Sequence, residues 1–288
     1  MGADGASDLS AQAEPDWLGA SRRIVSGLAA MLAAHPTTAE RAVVVGQGEG
    51  GDRTLVIDQE AEEVIFAELA RLHDNGARFT AISEERGEVD FGGDGVRVVI
   101  DPIDGSMNAK RGLSPHAVSI AVADGPTMAD VRFGFVADLT HGEIWTATRG
   151  AGAQLDGEPL VGPALERRNR AGRLELIAIE SAYPNRLAER GEAIGLVAHR
   201  VRMFGSMAFA LCQLAAGRVD GMATLWRARS VDVAAAQLIV RESGGHVAFT
   251  AFADPLGAPL DLVGHSPVVA ARSATALAEM ATLPSSGA

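Results

Sequence analysis

Three sets of acids stand where an apolar run gives way to a turn or a helix. Glu84 and Glu85 follow the run 79–82, Asp101 and Asp104 follow 96–100, and Asp232 heads Val233-Ala234-Ala235-Ala236. Singly, each has an ordinary explanation: Asp232 suits a helix N-cap, and Asp104-Gly105 is turn chemistry. Together, carboxylates converging from the ends of different elements suit a hard cation. Mg2+ and Mn2+ prefer oxygen ligands and leave positions open to water and phosphate. In Asp101-x-x-Asp104, Pro102 stiffens the backbone and the Asp104-Gly105 turn bends both carboxylates toward one point, which the Ile103 carbonyl also faces. If a short helix opens at Ser106-Met107-Asn108, its free N–H groups seat a phosphate. Gly105, without a Cβ, lets that phosphate approach the backbone.

The elements that must position these acids can be read from periodicity. A helix starts at Trp17, with Leu18, Ile24, Val25, Leu28, Met31 and Leu32 near one face, and ends at Pro36. A β-rich piece, 42–45, enters the glycine-rich run 46–51, and an extended approach over 52–58 leads to a helix over 59–73. Strands are expected at 79–82, 96–100, 117–123, 131–138 and 143–148, the last three as antiparallel neighbours. Beyond the basic, linker-like run 167–170, strands at 174–179, 201–204, 221–225 and 267–271 alternate with helices. Those helices cover 186–197, 206–216 and 232–243. The first half is therefore mixed and partly antiparallel and the second closer to α/β, an α+β protein overall. The expected division is a tail over 1–14, an N-terminal α+β domain over 15–165 with most of the acids, and a C-terminal α/β domain over 166–284 with Asp232.

Gly46-Gln47-Gly48-Glu49-Gly50-Gly51 fits G-x-G-x-x-G. The dinucleotide reading fails on context, because no helix opens at its third glycine and Glu49 and Asp52 would crowd a pyrophosphate. A loop is the better reading.

The 288 residues carry a net charge of -12. That balance disfavours nucleic acid and anionic membranes as partners. The single cysteine, Cys212, excludes an internal disulfide and reads as a buried core thiol. No apolar run is long enough to cross a bilayer and the N-terminus does not read as a signal peptide, so a cytoplasmic location is expected.

Asp101-Pro102-Ile103-Asp104-Gly105-Ser106-Met107-Asn108 resembles the D-P-[IL]-D-G-[TS]-x-N signature of the inositol monophosphatase family. Val231-Asp232-Val233-Ala234-Ala235, with Leu238-Ile239 and Glu242-Ser243-Gly244-Gly245, resembles that family's second signature, and Ile82-Ser83-Glu84-Glu85 its upstream glutamate element. The resemblance runs from about 17 to 283. It implies a layered αβαβα sandwich and a Mg2+-dependent phosphatase with two or three ions, acting on a small phosphorylated polyol or sugar as a homodimer. Carried over by position, Glu84, Asp101 and the Ile103 carbonyl would hold one ion, and Asp101, Asp104 and Asp232 a second. Glu84 would share a third, weaker ion. Ser106, hydrogen-bonded to Asp58, would position and deprotonate water, and the N–H groups of Gly105 and Ser106 would hold phosphate oxygens. Gly205 and Ser206 resemble the substrate-side loop.

The sequence departs from the pattern at Ala109-Lys110-Arg111, where an aromatic often follows the Asn, and at Val231, where an aromatic often precedes the Asp. The run 46–58 and Arg229-Ser230-Val231-Asp232 look more like the archaeal-type enzymes that also accept fructose 1,6-bisphosphate. Arg186, Arg202, Arg227 and Arg229 are candidates for a second phosphate. A 3'(2'),5'-bisphosphate nucleotidase or histidinol-phosphatase would share the metal core. A non-catalytic regulatory binder is the alternative outside enzymes. Aromatics at 5 % of the chain weigh against base stacking, and the charge against a nucleic-acid binder.

Overall fold

The computed structural model describes residues 14–47, 53–160 and 165–284, so nearly all of the expected tail lies outside the described residues. The helices are α1 (Trp17–Ala34), α2 (Thr38–Arg41), α3 (Val56–Asp74), α4 (Ser106–Arg111), α5 (Pro184–Val197), α6 (Met207–Ala215), α7 (Ser230–Glu242) and α8 (Ala274–Met280). Strands β1 (Val44–Gln47) and β2 (Arg53–Leu55) pair antiparallel on their own. The larger sheet holds, in spatial order, β3 (Phe79–Ser83), β4 (Gly87–Asp104), β5 (Ala117–Ala123), β6 (Val131–Asp138), β7 (Ile144–Thr148), β8 (Gly152–Leu155) and β9 (Glu158–Pro159). The smaller sheet uses β10 (Leu174–Glu180), β11 (Ala198–Arg202), β12 (Gly221–Thr224), β13 (His246–Phe249) and β14 (Val268–Ala271), ordered β11-β10-β12-β14-β13.

Alternation along β4 shows how the layers stack. Val98 and Ile100 pack into a core with α1 and α3, whereas Val99 joins a second core with α6 and α7. A third core sets β10 residues Leu174, Ile177 and Ile179 against Ile194 of α5 and Met280 of α8. The order of layers is therefore α1/α3, large sheet, α6/α7, small sheet, α5/α8, the expected αβαβα sandwich. Each fully buried Leu, Ile or Phe in these layers contributes roughly 1.5–3 kcal/mol. Helix α7 lies in the middle layer and is buried from Ser230 to Val240. Gly134 of β6 permits its close approach, since a Cβ there would stand 2.6 Å from the Ala235 carbonyl oxygen.

Two expectations are corrected. The extended approach to the third helix is only β2, and α3 begins at Val56 rather than 59. The reason is local: the Asp58 carboxylate accepts the Leu55 N–H at 3.1 Å, satisfying one donor that a helix start leaves orphaned. The run 167–170 is not a free linker, because Arg167 pairs with Asp220 at 3.1 Å and Arg168 with Glu279 at 3.0 Å. The G-x-G-x-x-G run lies mostly outside the described residues, and its flanks are an antiparallel ribbon rather than a strand leading into a helix.

Candidate metal centre and cleft

β3 pairs twice with β4: residues 87–91 run antiparallel to it, while 97–100 run alongside with Ser83 opposite Ile100. That second register brings Glu84, just past β3, beside Asp101 of β4. Asp232 arrives from the middle layer as the third residue of α7. One carboxylate oxygen from each of the three lies within 4.8 Å of the others.

These carboxylates are largely cut off from water, with Asp101 2 % and Asp232 3 % exposed. Burial, then the charges of Glu84, Asp104 and Asp232, holds Asp101 well above the usual carboxylate range. Burial also pushes Glu84 up to about 7, against the pull of Arg229. Asp104 rises to about 7 through burial and the charge of Asp232, while its hydrogen bonds resist. The cluster is thus short of positive charge. Part of the deficit is met by Arg229, whose guanidinium reaches Glu84 at 2.7 Å and Asp232 at 3.1 Å. Burial opposes the charge on Arg229, but Asp232 and Glu84 more than offset it and raise its pKa. A compact, all-oxygen, negatively charged donor set fits Mg2+ or Mn2+.

Asp104 is oriented by the start of α6. Its carboxylate accepts from Ser206 Oγ at 2.6 Å, Ala208 N at 2.7 Å and Met207 N at 3.2 Å. Ile103 is buried and its N–H donates to Asp101 Oδ1 at 3.0 Å. Gly105 and Gly205 are both left-handed, with φ of 94° and 76°. They face one another: a Cβ on Gly105 would lie 3.0 Å from the Gly205 carbonyl oxygen, so a side chain would part the two loops.

A cleft of about 360 Å3 opens beside the cluster, lined by Asp58, Glu84, Glu85, Ser106 and Lys110 with Leu55, Pro102, Ile103 and Met107. Burial raises Asp58 to about 6, resisted by the Leu55 N–H. Asp58 and Ser106 share this cleft, yet the hydrogen bond expected between them is not among those of the described residues. Of the residues expected to contact substrate, Ser106 is exposed on the cleft, whereas Ser206 is committed to Asp104 and Arg229 to the acids. A larger cavity of 620 Å3, near Trp17 and Arg78, shares no lining residue with this site. Its arginines are already engaged, Arg23 and Arg71 with Glu68 and Arg132 with Glu14 and Asp124.

Over residues 19–283 the sequence matches the inositol monophosphatase family. The chain belongs to that family. It is a phosphoric monoester hydrolase. A fructose-1,6-bisphosphatase/inositol-1-monophosphatase of Methanothermobacter thermautotrophicus is 31 % identical over 242 residues, covering 80 % of this chain and 83 % of the relative. The Nus factor SuhB of Escherichia coli K12 is 35 % identical over 214 residues, 72 % of this chain and 75 % of the relative. The extragenic suppressor protein suhB of Bartonella henselae superposes with a TM-score of 0.76 at 25 % identity, covering 93 % and 98 % of the two chains.

Two further residues position the site: Glu180, which was not singled out in the sequence, and Asn108, which was read there only as part of the first signature. Glu180 ends β10 at 3 % exposure, and its carboxylate accepts from Phe204 N at 2.8 Å and Gly205 N at 3.0 Å. Asn108 Nδ2 donates to Phe204 O at 2.8 Å and Pro115 O at 2.7 Å. Between them they hold the 204–206 loop that delivers Ser206 to Asp104. The signal for Glu180 was present: it is an acid closing an apolar strand, as Asp101 is.

Burial raises Glu180 from 4.5 to about 8, with the two N–H groups resisting. The native state therefore binds this proton more tightly than the unfolded chain, and the stability it contributes is complete below pH 4.5 and lost as pH rises through about 8. Glu180→Gln does not titrate. The wild-type advantage in melting temperature over this variant is expected to shrink from pH 5 to pH 8.5; a gap that widens with pH would contradict the assignment.

Proposed function

We propose that the chain is a Mg2+-dependent phosphomonoesterase acting on inositol monophosphate. The observation that carries this is the convergence of Glu84, Asp101 and Asp232 oxygens within 4.8 Å. It occurs beside a cleft that Glu84 lines together with Ser106. In this reading Glu84, Asp101, the Ile103 carbonyl, Asp104 and Asp232 hold two or three ions. Bound there, the metal would neutralise the phosphate dianion, lower the pKa of a water and stabilise the leaving alkoxide. The protein's own groups do the rest. Ser206 and the N–H groups of 207 and 208 fix the Asp104 carboxylate. The N–H groups of Gly105 and Ser106 face phosphate oxygens, with left-handed Gly105 shaping the turn. Asp58, half ionised near pH 6, takes a proton by way of the Ser106 hydroxyl. Exposed Gly205 borders the polyol, while Ser206, buried against Asp104, supports that loop from behind.

Fructose 1,6-bisphosphate is the second substrate we propose. Arg186 stacks over Trp226 at 4.0 Å and Arg227 lies 5.6 Å from the same ring, two cations gathered beyond the ends of β10 and β12. Such guanidinium groups suit a second phosphate. The archaeal relative's name covers both activities.

Phosphate release from inositol 1-phosphate, fructose 1,6-bisphosphate, 3'-phosphoadenosine 5'-phosphate and histidinol phosphate tests the proposal. Turnover of inositol 1-phosphate with Mg2+, abolished by EDTA and restored by excess Mg2+, is expected. Turnover that survives EDTA would refute metal dependence. Preference for either of the last two compounds would reassign the substrate.

A further inference from the structure

Lys110 is the only lysine in a chain that carries 24 arginines, obtained as 25 basic residues less one. It lies on α4 four residues after Ser106, and both line the cleft. Residues four apart on a helix share a face, with Cβ atoms about 6 Å apart. Asp58, Glu84 and Glu85 line the same cleft, so every other charged group on its wall repels an anion. Glu84 is answered by Arg229. Lys110, by contrast, forms no hydrogen bond or ion pair among the described residues, although its charge is felt at Asp58 and draws that pKa down. A half-buried ammonium with three donors is therefore held on the cleft wall with no partner among the described residues.

We propose that Lys110 is a substrate-binding residue whose ammonium donates to the phosphoryl oxygens from the wall of this cleft. The inference rests on the phosphatase reading of this cleft. It assigns work to a position where the family's aromatic-containing segment is replaced by Ala109-Lys110-Arg111. Ala109 is fully buried and keeps α4 close to the sheet, leaving the next residue to face the cleft. A lysine suits the task because its ammonium is a compact point charge that needs no planar partner. Leu55, Pro102 and Met107 supply apolar surface in the same cleft, against which the methylene stem can lie.

The test compares wild type, Lys110→Met and Lys110→Arg in Mg2+. Met keeps the stem and removes the charge; Arg keeps the charge. Losing a charge-assisted hydrogen bond raises KM for inositol 1-phosphate, and the inhibition constant of inorganic phosphate, about 10- to 100-fold in Lys110→Met. The value of kcat and the melting temperature are expected to stay close to wild type, and Lys110→Arg to recover most of the affinity. A second arm uses the chain's single lysine. Pyridoxal phosphate followed by borohydride should label Lys110, located by peptide mass mapping apart from the terminal amine, and inorganic phosphate should protect it. Unchanged KM and phosphate inhibition in Lys110→Met would overturn the proposal. Labelling that phosphate does not slow would overturn it too. If wild type hydrolyses none of the esters, the function proposed above fails, and the protection arm still decides whether Lys110 meets phosphate.

Discussion

Asp101→Asn is expected to cost about 10^3-fold or more in kcat while leaving the protein folded and, without metal, more stable than wild type. The loss follows from position. Asp101 shares the oxygen cluster with Glu84 and Asp232, and in the proposed reading it serves both principal ions. Metal assistance to phosphate transfer is worth several kcal/mol, and each ~1.4 kcal/mol is a factor of ten in rate. The gain in stability has a separate origin. Asp101 is a carboxylate stripped of water and pressed by Glu84, Asp104 and Asp232. An amide of the same shape keeps the bond from the Ile103 N–H at 3.0 Å and removes one of the repelling charges. Melting in EDTA should therefore show the variant above wild type, and Mg2+ should raise the wild-type melting temperature more than the variant's. Sites that store charge for function commonly carry this cost in stability. A variant that retains full turnover would remove Asp101 from the metal centre.

The acids were legible because each stands where an apolar run gives way to a turn or a helix begins, and the ends of different elements converge. The antiparallel neighbours β5 and β6 were legible because Ala117–Ala123 and Val131–Asp138 are nearly continuous apolar runs bounded by turn residues. What escaped was what depends on distant partners. The four-residue strand His246–Phe249 is too short to read alone and exists because β14 pairs with it. The start of α3 hinged on the Asp58 side chain capping Leu55, which removed Asp58 from the extended segment expected there. The work of Glu180 needs the 204–206 loop, 24 residues further along the chain. The partners of Arg229 follow the same rule. Its pairing with Asp232, three residues on, is a local contact, but the bond to Glu84 spans 145 positions and exists only once β3 and α7 are packed.

Arg229→Met is expected to lower stability in EDTA by about 3 kcal/mol and to tighten Mg2+ binding. The guanidinium is the counter-ion that the folded chain supplies to its own acids: it donates to Glu84 and, through Nε and Nη2, to Asp232. Its side chain is 24 % exposed and the Asp232 side chain 4 %, so water replaces little of what is lost. Removing one partner of a buried pair leaves the other charge uncompensated, at a cost of about 3–5 kcal/mol; partial exposure places Arg229 at the lower end. Met retains the apolar stem, which separates lost charge from lost packing. The same geometry sets arginine and cation in competition, because both need the Glu84 and Asp232 oxygens. A variant freed of the arginine should bind Mg2+ more tightly by calorimetry, and its deficit in melting temperature should narrow as Mg2+ saturates, since a ligand that binds only the native state stabilises it. If Arg229 instead serves chiefly to hold substrate, the outcome inverts: stability in EDTA is unchanged and only KM rises. The two measurements together decide whether this arginine belongs to the metal centre or to the substrate pocket.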